Sequence, residues 1–335
     1  MFMRLGKPSL WKSSLHPSSR GCRYISVSSA PIPSATTEAV ASFRDHVFSV
    51  DQPSILRSGL NSPTNQLQAC SKWFSNDVAK LPFTSHVLEF KDWLFPYELV
   101  IATPRQREHF CLFIGWLKAT GDDIDISVAE LLMQIMEGPG LPDLFTQLDA
   151  PLRLLVAAIK FNSLQGDATS EHIQLYIAQS SLSALPKRLQ SDLIAPEVVL
   201  RAGRGDIYSS SIWLGTQPTY TPLHRDPNPN LFCQLFGTKS VKLMHPSMGQ
   251  TLFYRVQAKI GQQGNSHIRT ADMMQGAERE ALHQAVWESQ EGQEHIYDVD
   301  VHPGDALFIP KGWWHTIKSV GADGLLNASA NWWFR

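Results

Sequence analysis

His224-Arg225-Asp226 is the sharpest local pattern in the chain. Residues i and i+2 of a β-strand point to the same face, so on a strand this imidazole and this carboxylate project side by side. His315 ends the run Pro303-Gly304-Asp305-Ala306-Leu307-Phe308-Ile309-Pro310-Lys311-Gly312-Trp313-Trp314, whose turns and apolar strand would return it to the same cavity. Two histidines and one carboxylate on one face of an octahedron leave three adjacent positions open, which suits non-haem Fe(II) and its oxygen chemistry. Alone, H-x-D is a weak pattern, because a single histidine is more often a packed core residue than a ligand. Its company strengthens it. Lys239 could set a point charge against the distal carboxylate of a bidentate keto acid. Thr221, three residues before His224, and Tyr176, from the helical half, each offer a hydroxyl toward the same carboxylate. Taken singly, an edge-strand lysine, a turn threonine and a half-buried tyrosine explain these three residues equally well.

The elements that must position these side chains divide the chain in two. From about Asp206 the apolar pattern has the period of strands: Ile207 to Gly215, Leu231 to Phe236, Ser240 to Met244, Ile296 to Val301, Ala306 to Ile309 and Leu325 to Phe334. Phe236-Gly237-Thr238-Lys239 reads as a hairpin turn with glycine where positive φ is needed. His302-Pro303-Gly304-Asp305 and Pro310-Lys311-Gly312 mark further turns. Before this, residues 64–198 read as mostly helical, with a capping box at Ser127-Val128-Ala129-Glu130 and a buried-face helix from Leu152 to Phe161. Pro53 to Gly59 reads as a short strand entering a turn. Residues 253–294, rich in Gln, Glu and Gly, read as a polar, helical insert, either facing a substrate or merely solvated.

In this order the motifs resemble a known family, the Fe(II)- and 2-oxoglutarate-dependent JmjC-type hydroxylases of the cupin superfamily. The resemblance runs from about Pro53 to Arg335. It includes Pro53-Ser54-Ile55-Leu56-Arg57, Leu175-Tyr176-Ile177-Ala178-Gln179 with Leu185-Pro186, and Ile212-Trp213-Leu214-Gly215. The block Thr221-Pro222-Leu223-His224-Arg225-Asp226, then Asn230-Leu231-Phe232 and Gly237-Thr238-Lys239, is similar to the branch that hydroxylates asparagine in hypoxia-inducible factor. So are Gly312-Trp313-Trp314-His315 and Asn331-Trp332-Trp333. The resemblance implies an α+β, mainly β fold: a double-stranded β-helix (jelly-roll) barrel over 199–335, buttressed by a mostly helical region over 38–198. It implies His224, Asp226 and His315 as iron ligands, Lys239, Thr221 and Tyr176 as holders of the 2-oxoglutarate C5 carboxylate, and Asn230 and Asn331 as polar pocket residues. O2 would be the co-reactant, and a protein side chain the expected site of hydroxylation. The spacing from His224 to His315 is longer than in that branch, so substrate contacts are expected to differ at the insert. The helical dimerisation segment of that branch has no counterpart here, so a monomer or weak dimer is expected. Trp313-Trp314 and Trp332-Trp333 could line the substrate mouth but read first as core and rim packing, and His245, His267, His283, His295 and His302 read as surface or packing residues.

Charge bears on the substrate and on the place of work. The chain has 335 residues with 29 basic and 31 acidic groups. Arg4, Lys7, Lys12, Arg20 and Arg23 precede the first acid, Glu38, so the rest carries 24 basic against 31 acidic groups, a net of −7. A body of that sign has no general affinity for polyphosphate, which disfavours nucleic acid. The basic, serine-rich segment 1–37 reads as a mitochondrial transit peptide and linker, with a matrix address; a disordered tail on a cytoplasmic or nuclear protein is the alternative. Four widely spaced cysteines specify neither a disulfide framework nor a zinc module. No run of 18 or more apolar residues suggests a bilayer-spanning helix, and no membrane partner is expected. Lysine demethylation, hydroxylation of a tRNA base or a small molecule, and a non-catalytic cupin that only binds are the other readings.

Overall fold

The structure, a computed structural model, describes residues 37–75, 81–138, 144–165, 171–261, 276–289 and 296–335. The expected leader, apart from Thr37, lies outside the described residues, as do 262–275 and 290–294 of the expected insert. Four strands precede residue 206: β1 Ser54–Leu56, β2 Leu94–Ile101, β3 Leu144–Pro151 and β4 Leu175–Ser181. Eight follow: β5 Ile207–Thr216, β6 Tyr220–Arg225, β7 Asn230–Phe236, β8 Thr238–Met244, β9 Ile296–Val301, β10 Ala306–Ile309, β11 Trp314–Val320 and β12 Leu326–Phe334.

The later eight strands form the barrel. One sheet runs β1-β10-β7-β12-β5-β4-β2-β3 and the other β6-β11-β8-β9, and neighbours pair antiparallel. Along the chain, β5 to β12 alternate between the sheets at every connection but one, β8 to β9, which is the winding of a jelly roll. The expected barrel is therefore present. The Gly237 turn is a correction. Gly237 does have a positive φ of 69°, but β7 and β8 belong to opposite sheets, so the turn is a barrel corner and not a hairpin. A Cβ there would stand 2.7 Å from the Asn327 amide nitrogen, so the corner needs glycine for space as well as for φ.

The helical expectation for 64–198 holds at Pro104–Lys118, Asp123–Glu137 and Arg153–Gln165, but β2, β3 and β4 interrupt it and extend the barrel's larger sheet. The signal was present in β2, where Phe95, Tyr97, Leu99 and Ile101 alternate and are all buried. Tyr176 accordingly sits on a strand rather than a helix. The capping box is also corrected. The helix starts one turn earlier, capped by Asp122 accepting from the Ile124 and Asp125 amides, and Ser127 bonds back to the Asp123 carbonyl from inside it.

The insert starts at Pro246, earlier than expected, with a helix Pro246–Ile260, then Gly276–His283 and a π-turn Gln284–Glu288. It is helical, but it is not a merely solvated excursion. Phe253, Val256, Leu282 and Val286 pack with Leu223, Met244 and Trp314, so the insert covers the outer face of the smaller sheet. A Cβ at Gly249 would overlap the Trp314 ring, so this close seat requires glycine. No helix among the described residues is long and apolar enough to cross a membrane.

Candidate metal centre

β6 and β11 lie side by side and bring His224 and His315 directly opposite one another. Their ring centroids are 4.2 Å apart. The Nδ1 of His224 lies 2.8 Å from the Pro222 carbonyl, and that of His315 lies 3.1 Å from the Trp313 carbonyl. A carbonyl only accepts, so each Nδ1 carries the proton and each Nε2 presents a lone pair to the cavity. Asp226 follows the last residue of β6 and is tied by its own carbonyl, which accepts from the Gly312 amide. Its Oδ1 is 3.9 Å from the Nε2 of His224, and its Oδ2 is 3.6 Å from the Nε2 of His315. One ligand atom from each residue falls within 4.8 Å of the others, and among the described residues no other cluster of this kind occurs. An ion with bonds of about 2.1 Å could draw the three together by small side-chain movements.

The pairing of β6 with β11 explains how Thr221 joins this site. His315 pairs with His224 and Ile317 with Thr221, so β6 spends three steps where β11 spends two. This is a bulge, located at Pro222-Leu223 on an edge strand, where proline costs no ladder bond. Three residues apart on a regular strand, Thr221 and His224 would face opposite sides; the extra residue turns both inward. Lys239 reaches the same cavity from β8 and is 2% exposed. Its ammonium donates to the Ser329 hydroxyl at 2.9 Å and to the Tyr176 hydroxyl at 3.5 Å, and it lies over the Phe232 and Tyr176 rings. All eight residues singled out from the sequence, Tyr176, Thr221, His224, Asp226, Asn230, Lys239, His315 and Asn331, line one narrow cavity, closed by Trp213, Phe232, Ile317 and Trp333.

Two positioning residues were not foreseen. Trp333 donates its indole N–H to Asp226 Oδ2 at 2.8 Å, and Asn230 donates to the same oxygen at 3.1 Å, so Oδ1 is the freer of the two oxygens. Asn331 in turn donates to the Asn230 side-chain oxygen at 2.9 Å. The expectation that both tryptophan pairs are packing holds for Trp332 and not for Trp333. Ser329, the partner of Lys239, was also missed. Both lie on the inner face of β12, where Asn327, Ser329, Asn331 and Trp333 alternate with the outward Leu326, Ala328, Ala330 and Trp332. That alternation of polar and apolar residues is readable in the sequence.

The donor set fits a divalent first-row ion: two neutral imidazoles and a carboxylate held by hydrogen bonds, with room for further ligands on the cavity side. The Asn331 side-chain oxygen is buried and has no hydrogen-bond partner among the described residues, so the cavity wall holds an acceptor that a bound group or water would satisfy. The other histidines stand apart. His245 accepts from the Ser247 amide at the start of the Pro246–Ile260 helix, and His283 packs edge-on against Tyr220. His267 and His295 lie outside the described residues.

A jelly roll with two histidines and a carboxylate converging inside one end defines a cupin. The Cupin-like domain family matches residues 146–335, more than half of the chain, and the chain belongs to it. Curated relatives with JmjC names are similar to part of the chain. The chain is 26% identical over 163 residues to Lysine-specific demethylase JMJ30 of Arabidopsis thaliana, matching 48% of this chain and 33% of that protein. It is 29% identical over 146 residues to Jumonji C domain-containing protein 5 of Drosophila melanogaster, matching 43% and 33%. It is 25% identical over 160 residues to Lysine-specific demethylase 8 of Danio rerio, matching 48% and 36%. The chain covers about a third of the length of each of these relatives. These likenesses support the JmjC cupins as a whole and do not single out the asparaginyl hydroxylase branch.

Proposed function

We propose that the protein is an Fe(II)- and 2-oxoglutarate-dependent dioxygenase that hydroxylates a side chain of a protein substrate, releasing succinate and CO2. One observation carries the reading: two imidazole Nε2 atoms and a carboxylate converge in the same cavity that holds the Lys239 ammonium. Bound there, Fe(II) with the keto acid and O2 would supply the oxidation of an unactivated C–H bond. The chain's own work is positional. His224, Asp226 and His315 hold the metal, with Trp333 and Asn230 fixing the carboxylate and two backbone carbonyls fixing the imidazoles. Lys239, Tyr176 and Thr221 hold the distal carboxylate of the keto acid, while Phe232, Ile317 and Trp213 exclude water around it.

The test is anaerobic Fe(II) binding followed by succinate release from 2-oxoglutarate, wild type against Asp226→Ala. A wild-type protein that neither binds iron nor turns over the cosubstrate, even uncoupled from substrate, sinks the reading and leaves a non-catalytic cupin. Lysine demethylation is the second reading, favoured by the names of two of the relatives. It uses the same cavity and is separated by product, since only demethylation of a methyl-lysine peptide releases formaldehyde. Hydroxylation of a tRNA base or a small molecule would give neither peptide product. We further propose the mitochondrial matrix as the place of work; a tagged full chain and one lacking residues 1–37 that reach the same compartment would refute it.

A further inference from the structure

A second cavity, of about 700 Å³, adjoins the metal cavity and shares Tyr176 with it. It lies between β4 and the edge strand β6, with the insert as its outer wall. Tyr220, at the start of β6, is the centre of a basic cluster. The Arg279 guanidinium stacks 5.0 Å from its ring, the His283 ring meets it edge-on at 5.2 Å, and Lys318 is its cross-strand partner. Lys318 in turn sits 4.1 Å over the Trp287 ring. Arginine and lysine here are held by aromatic faces rather than by acids: neither has a carboxylate within ion-pair distance among the described residues. The Arg279 Nε is moreover buried without a hydrogen-bond partner. A stacked guanidinium with an unused donor edge is built to receive an oxyanion. Burial is the first cause that lowers the His283 pKa; Glu288 opposes it, and Lys318 and Arg279 add smaller contributions in the same direction as burial.

We propose, resting on the oxygenase reading above, that this groove is the docking site of the protein substrate, and that Arg279 and Lys318 anchor an acidic side chain of the docked segment. Charge complementarity identifies the occupant. Glu98 lies on the floor of the groove and Glu280 and Glu288 on its walls, so the groove lacks the unbroken positive track that a nucleic-acid backbone follows, while a single carboxylate suits the Arg279 wall. Geometry sets the spacing. Across the bulge, Tyr220 and His224 stand opposite Lys318 and His315, three residues apart on β11, roughly 10 Å, so the acidic anchor stands about three extended residues from the residue presented to the metal.

The experiment uses the purified full chain with Mn(II) and 2-oxoglutarate. Short fluorescein-labelled peptides, identical except for Glu, Gln or Lys at alternate positions, are followed by anisotropy at low salt. The Glu peptide is expected to bind roughly tenfold or more tighter than its Gln and Lys counterparts, the scale of one charge-assisted contact. Arg279→Gln and Lys318→Gln should each erase most of that preference, and Arg279→Lys should keep part of it; unfolding midpoints near wild type show that the variants fold. Equal binding of the three peptides, or a preference unchanged in Arg279→Gln, overturns the proposal. So does single-stranded RNA that binds more tightly and displaces the peptide. Mn(II) and 2-oxoglutarate uptake by the wild type is read in parallel: its absence refutes the oxygenase reading, whereas uptake without a peptide preference refutes the anchor alone.

Discussion

His224 and His315, distant in the chain, are direct cross-strand partners on β6 and β11. Each imidazole is fixed through Nδ1 by a backbone carbonyl two residues earlier in the chain. The two Nε2 lone pairs are thus set by the backbone of one sheet before any metal arrives, and Asp226 is the member of the triad whose aim depends on side chains.

Trp333→Phe keeps the ring and removes the donor to Asp226 Oδ2. Metal affinity should fall by about 10- to 100-fold, the usual effect of losing an outer partner of a ligand, with the fold intact by circular dichroism. Anaerobic titration with Fe(II) or Mn(II) measures it; unchanged affinity would show that Asn230 alone orients the carboxylate.

Lys239→Met should raise the 2-oxoglutarate requirement strongly while sparing metal binding, because on the proposed reading the ammonium, which bonds to Ser329 and Tyr176, would hold the cosubstrate rather than the metal. The apo protein should lose little stability or gain some, since an apolar side chain of similar length replaces a buried charge. Succinate release against 2-oxoglutarate concentration and a thermal melt test both parts. Ser329→Ala should give a milder form of the same kinetic change.

Gly249→Ala tests how the insert is seated. Alanine favours a helix over glycine by about 1 kcal/mol, yet its methyl would overlap the Trp314 ring, and overpacking of this kind costs about 1–3 kcal/mol. A net loss in urea unfolding is expected; a net gain would mean that the helix moves away freely. Trp314 neighbours His315, so weaker metal binding should accompany the loss.

Asp192 carries a pH signature. Burial opposes its charge, but hydrogen bonds from Trp73, His86 and Lys72 outweigh burial and hold its carboxyl below the ordinary value. A carboxyl depressed in the folded state contributes stability that is present above its unfolded pKa, near 3.9, and lost as pH falls through the lower folded value. Asp192→Asn should therefore cost about 1–2 kcal/mol at neutral pH, the scale of weakening hydrogen bonds to a buried charged acceptor whose lysine partner is half exposed. The gap from wild type should close in acid. A gap that is constant with pH would deny the carboxylate its role.

Much of this site was legible before any coordinates. The i, i+2 rule placed His224 and Asp226 together, residue type and spacing offered His315, Lys239, Thr221 and Tyr176 as candidates, and the resemblance fixed their roles and added Asn230 and Asn331; all of these line one cavity. What stayed hidden depends on pairing partners. Gly237 looks like a hairpin glycine because a local pattern cannot say whether the next strand returns to the same sheet. Ser127 looks like a cap because the helical pattern begins before it with acids that cap equally well. The strand β2 alternates regularly but stands in a stretch whose longest patterns, Pro104–Lys118 and Asp123–Glu137 just after it, are helical.

The residue types, their order and their strand periods were determined by the sequence alone, because ligand chemistry and the side-chain period of two are properties of single residues and near neighbours. Tertiary structure decided which strands became neighbours. It set His224 opposite His315, turned Thr221 inward through a bulge that no local pattern announces, gave Trp333 to Asp226, and placed Arg279 over Tyr220. Each of these depends on contacts between segments far apart in the chain. Such contacts form only when the apolar faces of two sheets and an insert are buried together, so no window of sequence contains them.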